Sequence, residues 1–517
     1  MVGVVRMEKQ SLLKGTIILG LAGIIARFIG LFFRWPLIML IGDEGVGYYQ
    51  LSYPLYMFFI GIASGVPVAI SKMVSEKNAL NDKEGILLVL KKSLLLMAIL
   101  GGGFSLFLFV NSKYLIAFLK WDDKSLYALL AIAFAPIFIS IMSVFRGFFQ
   151  GMQNMNPTAI SEIIEQLGRV FVGIGLAFIL LPKGIEYSAG GAAFGAAAGG
   201  IFGGIYLFSR FMKIRPQLYT KKLKKDNKVL SKLLHIAIPI SLGATVGTVM
   251  SLIDSVIVPQ KLLEAGLTYK DSLILYGQLT GKAFVLINVP LTLSIALCAS
   301  IVPAISEQYV LGLREEMKSK IDIALKFSAV IALPSLCGLY FMAEPILKLV
   351  FPGHSDGHLI LQYLALSIPF IIFAQCTTAI LQATGEVRAP VYNLVIGCIV
   401  KVVITYILVP IPNINIYGAV IGTFVGYIVA SSLNIITLRR KQNIKMSLYN
   451  IIIKPAFASI IMIIGVVFIY WYAYNITKSN GISCIISIAS GAAVYATFIV
   501  MFGVLEIKYI KKRILRR

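Results

Sequence analysis

Residues 24–36 read IIARFIGLFFRWP, placing Arg27 and Arg34 inside a stretch otherwise as apolar as lipid. A charge in the hydrocarbon region costs at least about 2.5–3.5 kcal/mol on insertion scales, so such residues are retained for work. Six more ionisable side chains fall well within apolar runs: Glu162, Glu165, Arg169, Asp254, Lys282 and Lys401. Five of these eight are cationic and three anionic. The excess is positive and lies inside the membrane. Guanidinium grips phosphate through two parallel hydrogen bonds, and ammonium adds a point charge. The chemistry that suits this set is binding of a phosphate or another strong anion.

Their depths sharpen the reading. Arg27 lies 12 residues into a span that runs from 15 to 41, roughly 18 Å deep at ~1.5 Å per residue. Arg34 follows seven residues later, almost two turns, so both point the same way. Neither has an acidic partner in its span. Lys282 and Lys401 also lie near mid-depth, each on its own span. Glu165 and Arg169 are spaced i, i+4, an intramembrane pair that in the simplest reading neutralises itself. Glu162 and Asp254 lie near span ends, within reach of water.

The elements that must hold these residues are helices in a membrane. The chain has 517 residues, 58% hydrophobic and only 14% charged, where a soluble chain would carry about a quarter. Apolar runs of about 20 residues fit helical spans, and the alternation of a β-barrel is missing. Fourteen spans are expected, at 15–41, 48–74, 86–110, 125–149, 157–181, 188–212, 233–258, 272–303, 322–343, 358–384, 390–410, 416–438, 450–474 and 482–507. With the N-terminus in the cytoplasm, inside segments hold 34 of the 47 Lys and Arg, including one after the fourth span, and outside loops hold eight. That bias puts both termini inside and accounts for most of the net charge of +24. KIRPQLYTKKLKKDNK (213–228) is expected to face anionic membrane lipids. Nucleic acid is not an expected partner, because no recognition module accompanies the charge.

The chain also repeats itself. VPVAIS (66–71) returns as VPAIS (302–306), YYQL (48–51) as YGQL (276–279), GGAAFG (190–195) as YGAVIG (417–422), and FQGMQNMNP (149–157) as LQATGEVRAP (381–390). Each pair lies six spans apart, an even number, so both copies cross the membrane in the same direction. The expected organisation is an N-terminal six-helix lobe (1–212), a basic cytoplasmic linker (213–232), a C-terminal six-helix lobe (233–438), and two extra helices with a basic tail (439–517). Two such lobes around a central cavity form a transporter architecture. Gly191, Gly195, Gly199 and Gly203 make a four-residue ladder suited to close helix packing. Prolines such as Pro239, Pro290, Pro303 and Pro334 fall inside spans, where a kink is tolerated. HSDGH (354–358) reads as an exposed loop, with too few ligands for a structural metal site. The five cysteines form no CxxC motif. No nucleophile–base, Walker or metalloenzyme motif is present, so neither an enzyme nor a cofactor is expected. Transport would draw on an ion gradient or the membrane potential.

The segments LLKGTIILGLAGIIARFIGLFFR, GVGYYQLSYPLYMFFIGIASGVPVAISKMVSE and LQATGEVRAP resemble the polysaccharide-export branch of the multidrug/oligosaccharidyl-lipid/polysaccharide (MOP) superfamily. They are most similar to the stage V sporulation protein B family, a relative of the MurJ-like lipid II flippases. The resemblance runs over nearly the whole chain. It implies two six-helix lobes with a V-shaped cavity, and a cargo of polyprenyl diphosphate-linked sugar, lipid II foremost. It assigns the diphosphate to Arg27 and Arg34, with Lys282 in a related role on the eighth span; Lys401, by its depth in the membrane, is a further cation for that group. Some members of the family bind Na+ through an acid on the seventh span and polar groups on the eleventh and twelfth, to which Asp254 and Asn393 correspond; H+ is the other candidate coupling ion, and cell-wall synthesis enzymes are candidate partners. The chain departs from such flippases in lacking an arginine in the second span and in having Trp35 where an acid often follows the second arginine. Two rivals stand beside this reading. One is a drug or organic-cation exporter of the same superfamily, which would want acids where this chain has bases. The other is a non-transporting scaffold for wall enzymes, which would depend on the basic loops.

Overall fold

A computed structural model of the chain describes residues 12–218, 228–443 and 447–504. Among these residues every regular element is helical. Eleven helices are long and apolar enough to cross a membrane, or thirteen when two bent pairs are each counted as one span. The first candidate, Ile18–Ala79, is 62 residues long, roughly 90 Å at ~1.5 Å per residue. The expected count of fourteen treats it as two spans, which its length and a break at Gly42 allow. Gly42 has φ 64° and ψ −173°, a left-handed backbone that only glycine adopts without penalty.

Contacts divide the chain into two compact units. Unit 1 comprises Met1–Gln260 and Thr268–Gly277. Its helices are α1 (Leu12–Ala63), α2 (Gly65–Ala79), α3 (Lys83–Val110), α4 (Ser112–Leu119), α5 (Leu126–Ile132), α6 (Ala135–Gly151), α7 (Asn156–Leu180), α8 (Ile185–Leu218), α9 (Lys228–Glu264) up to Gln260, and α10 (Tyr269–Gly277). Unit 2 comprises Lys261–Leu267 and Gln278–Arg517. It holds a π-helical turn, Gln278–Ala283, then α11 (Phe284–Val310), α12 (Arg314–Phe341), α13 (Ala343–Val350), α14 (His358–Ala365), α15 (Ile368–Ala383), α16 (Arg388–Leu408), α17 (Tyr417–Gln442), α18 (Lys454–Thr477) and α19 (Asn480–Met501). This division groups residues by contact and falls near 260–278, whereas the sequence repeat leads to an expected break at 213–232.

Local chemistry explains several boundaries. Pro136, Pro157, Pro369 and Pro455 sit in the first turns of α6, α7, α15 and α18, where a missing N–H costs nothing. Asp82 caps α3 by accepting from the Gly85 N–H at 2.9 Å. α9 bends by 56° between Leu242 and Gly247, a few residues beyond Pro239.

The glycine ladder of α8 lies against α7. A β-carbon on Gly195 would stand 2.7 Å from the Arg169 carbonyl oxygen, and one on Gly199 would stand 2.5 Å from that of Glu165. Only hydrogen fits at such distances, so the two backbones approach directly. Unit 2 repeats the arrangement. A β-carbon on Gly422 of α17 would meet the Lys401 carbonyl of α16 at 2.9 Å. Gly195 and Gly422 close the matching segments GGAAFG and YGAVIG, and Arg169 and Lys401 stand 232 residues apart. Each repeat therefore packs one glycine against the carbonyl of one intramembrane cation. The C-terminal pair, α18 and α19, packs on α12, where the Tyr495 hydroxyl donates to the Val330 carbonyl at 3.0 Å.

Candidate functional site

The site begins on α1. A straight helix would hold Arg34 and Tyr49 roughly 22 Å apart at ~1.5 Å per residue. The Arg34 guanidinium instead lies 5.0 Å from the Tyr49 ring centre and 5.6 Å from that of Tyr53. The chain therefore folds back at the Gly42 break and lays its second half along its first. Tyr49, Tyr53 and Tyr56 are spaced by four and three residues, which puts them on one face. Their rings follow one another at 5.3 and 5.6 Å.

The next layer comes from α7 and α6. Arg169 of α7 donates Nη1 to the Tyr53 hydroxyl and Nη2 to the Tyr56 hydroxyl, both at 3.2 Å. One turn earlier, Glu165 accepts from Arg169 Nη2 at 3.4 Å. Arg146 of α6 donates Nη2 to the other Glu165 oxygen at 3.0 Å and Nε to Ser161 Oγ at 2.9 Å. The side chains of Arg146, Glu165 and Arg169 are only 11–17% exposed. Glu165 is thus shared between two guanidiniums, with its shorter contact to Arg146, rather than spent on Arg169 alone as the i, i+4 spacing suggests. Arg146, three residues short of the expected end of the fourth span and counted with the inside segment that follows it, is kept within α6 and turned toward α7. With Arg34, the cluster sets three guanidiniums against one carboxylate.

Two of these donors have no acceptor. Arg34 Nη1 and Arg169 Nε are buried without a hydrogen-bond partner among the described residues. A buried donor left unpaired costs about 1–3 kcal/mol, and more when charged. Beside the cluster, unit 1 contains a cavity of about 330 Å³, walled on its polar side by Tyr53, Tyr56, Arg146, Glu165, Gln166 and Arg169.

Arg27 is exposed, one turn beyond Gly23 on α1. Glu162 does not turn to water but lies half-buried against α1, its Oε2 3.9 Å from where a β-carbon on Gly23 would sit. Gln166, one turn further along α7, meets Gly30 in the same way at 3.2 Å. Glycines on α1, one a turn before Arg27 and one between the two arginines, thus let the polar face of α7 approach α1.

The expected cations of unit 2 are held differently. Lys282 sits in the π-helical turn, 1% exposed, and its Nζ donates to the carbonyls of His354 at 2.6 Å and Asp356 at 3.2 Å. Its ammonium ties the HSDGH loop to the helix. Lys401 is 5% exposed on α16, facing the Gly422–Gly426 surface of α17. Asn393 donates its amide to Asn434 Oδ1 at 2.9 Å and Thr437 Oγ1 at 3.3 Å, and Asn434 donates to Thr378 Oγ1 at 3.0 Å. These neutral groups satisfy one another across α15, α16 and α17. Asp254 is half-buried on α9. No group of three His, Cys, Asp or Glu suited to a metal ion occurs among the described residues.

Comparison with known proteins gives a consistent picture. The family described as polysaccharide biosynthesis protein matches residues 12–308, and the MatE family matches residues 280–407. The stage V sporulation protein B of Bacillus subtilis (strain 168) is 30% identical over 99% of this chain and 98% of its own length. The lipid II flippase MurJ of the same organism is 26% identical over 94% of each chain. Among solved structures, lipid II flippase MurJ in an inward closed conformation matches with a TM-score of 0.72 at 16% identity, over 94% of this chain and 98% of that one. An inward-facing multidrug resistance MATE family transporter of the MOP superfamily matches with a TM-score of 0.69 at 16% identity, over 81% of this chain and 94% of that one. At these identities the two structural matches establish the fold.

Proposed function

We propose, on the premise that this chain belongs to the polysaccharide biosynthesis protein family of MOP-type membrane transporters and flippases, that it translocates a polyprenyl diphosphate-linked sugar, with lipid II as the leading cargo. The observation that carries the reading is Arg34. Its guanidinium is clamped on two tyrosine rings with Nη1 buried and without a hydrogen-bond partner among the described residues, a preorganised donor for an incoming acceptor. A diphosphate supplies acceptors in the geometry guanidinium prefers. Arg27, exposed two turns away on the same helix, is the second contact. Movement of the lobes 1–212 and 233–438 would carry the headgroup across the plasma membrane, the lipid tail staying in the bilayer and both termini staying in the cytoplasm. Na+ or H+ would drive the cycle through Asp254, with anionic lipids at the basic loops and wall-synthesis enzymes as partners on the cytoplasmic side.

The likeness to drug exporters favours a second reading, export of an organic cation. A cluster of three guanidiniums and one carboxylate repels such a cargo. Expression of the chain in bacteria depleted of their own lipid II flippase separates the two. Rescue of growth by the wild type, and its loss in Arg27→Ala and Arg34→Ala at normal protein levels, is the expected result. Full rescue by both variants discards the helix 1 grip. Failure to rescue combined with protection against cationic dyes favours drug export.

A further inference from the structure

The polar wall of the unit 1 cavity presents donors that have no acceptor among the described residues. The Tyr53 and Tyr56 hydroxyls each accept a hydrogen bond from Arg169, so their own protons remain to be given. Neither phenol has an acceptor for that proton among the described residues, and Arg169 Nε is buried without a partner. Among the described residues Glu165 is the one carboxylate in the wall, and both of its oxygens are already held by arginines. Two guanidiniums against that carboxylate leave a net positive charge in a wall of low exposure. A ligand rich in acceptors and carrying negative charge completes such a site, and phosphate oxygens are strong acceptors of this kind. A volume of about 330 Å³ is at the small end for ligand sites, suited to a compact headgroup rather than a whole glycolipid.

Arg34 is not part of this wall, but Tyr53 borders both places. Its ring faces Arg34 and its hydroxyl takes Arg169. We infer that the Arg146–Arg169 cavity is a second diphosphate station, distinct from the Arg27–Arg34 pair, that receives the cargo's diphosphate group at another stage of its passage. The inference rests on the flippase reading. Glu165 is a positioning residue here, since it aims two guanidiniums at one wall. Arg146 and the Tyr53 hydroxyl are the contacts.

Full-length protein in detergent is tested for equilibrium binding of radiolabelled undecaprenyl diphosphate and of inorganic diphosphate, with unfolding temperature recorded in parallel. Arg146→Gln leaves Glu165 paired with Arg169, and Tyr53→Phe keeps the ring stack while removing only the hydroxyl. Arg146→Gln is expected to weaken undecaprenyl diphosphate binding by about tenfold or more, and Tyr53→Phe by about fivefold, as loss of charge-assisted contacts requires. An equal loss with inorganic diphosphate supports recognition of the anion by itself. A loss confined to the prenyl form supports recognition of the lipid-linked cargo. Wild-type affinity in both variants, with binding lost in Arg34→Ala, overturns the second station and leaves the flippase reading intact. Absence of binding of either probe to the wild type removes both. If Arg146→Gln does not fold, Tyr53→Phe decides alone.

Discussion

Glu165→Gln is the most informative single perturbation of the cluster. The carboxylate is 11% exposed and accepts from Arg146 at 3.0 Å and from Arg169 at 3.4 Å. At such distances, and with an effective dielectric constant of about 20, each charge pair is worth roughly 5 kcal/mol before desolvation is subtracted. Removing the charge leaves two guanidiniums facing one another with no anion between them. Breaking a buried pair in this way typically costs about 3–5 kcal/mol. Glutamine retains one acceptor oxygen, so the lower end, about 3 kcal/mol, is expected. Unfolding of purified protein in detergent measures this as a lowered midpoint. The double variant Glu165→Gln/Arg146→Gln sheds one of the stranded cations and should recover about 1–2 kcal/mol, within the range of coupling between contacting residues. A wild-type midpoint in Glu165→Gln, or a double variant that loses the sum of the two single losses, would refute the shared-carboxylate arrangement.

Two further predictions concern what positions the site. Gly199→Val places a side chain where even a β-carbon stands 2.5 Å from the Glu165 carbonyl, so α7 and α8 must separate. An overpacking cost of about 1–3 kcal/mol or more is expected as a lower unfolding midpoint, together with reduced rescue in the flippase-depleted strain. Lys282→Met removes the ammonium that holds the His354 and Asp356 carbonyls. Amide hydrogen exchange across 351–357 should then accelerate by about tenfold, the loss of a charge-assisted contact, and unchanged exchange would show that the loop does not depend on that contact.

Much of this was legible in the residues. Hydropathy marks the helical spans because a bilayer demands unbroken apolar length. The glycine ladder announces close packing, and the fold places it under Glu165 and Arg169. What escapes the sequence is partnership between helices. Arg146 is followed within a few residues by the polar segment QGMQNMNP, so it reads as the end of a span rather than as a partner for Glu165, 19 residues away on another helix. The i, i+4 spacing shows Glu165 and Arg169 as a closed pair, and nothing local reveals a third claimant. Lys282 has the depth of a cargo-binding cation, yet its ammonium meets carbonyls 72 and 74 residues away. Asn393 likewise finds Asn434 and Thr437 only when α16 and α17 are brought together. The tyrosines at 49, 53 and 56 form a row whose spacing carries no functional signal by itself. Its role as the surface that clamps Arg34 needed the fold-back at Gly42.

The central claim is movement of a diphosphate-linked lipid, and reconstitution tests it most directly. Purified protein in lipid vesicles, with fluorescent lipid II in both leaflets and a membrane-impermeant quencher outside, reports transfer between leaflets as a slow second phase of quenching. A flippase should give that phase with the wild type, at a rate well above protein-free vesicles, and lose it in Arg34→Ala at equal protein content. A wild-type trace no faster than that of protein-free vesicles would contradict lipid II transport, and an Arg34→Ala trace identical to the wild type would contradict the grip on α1.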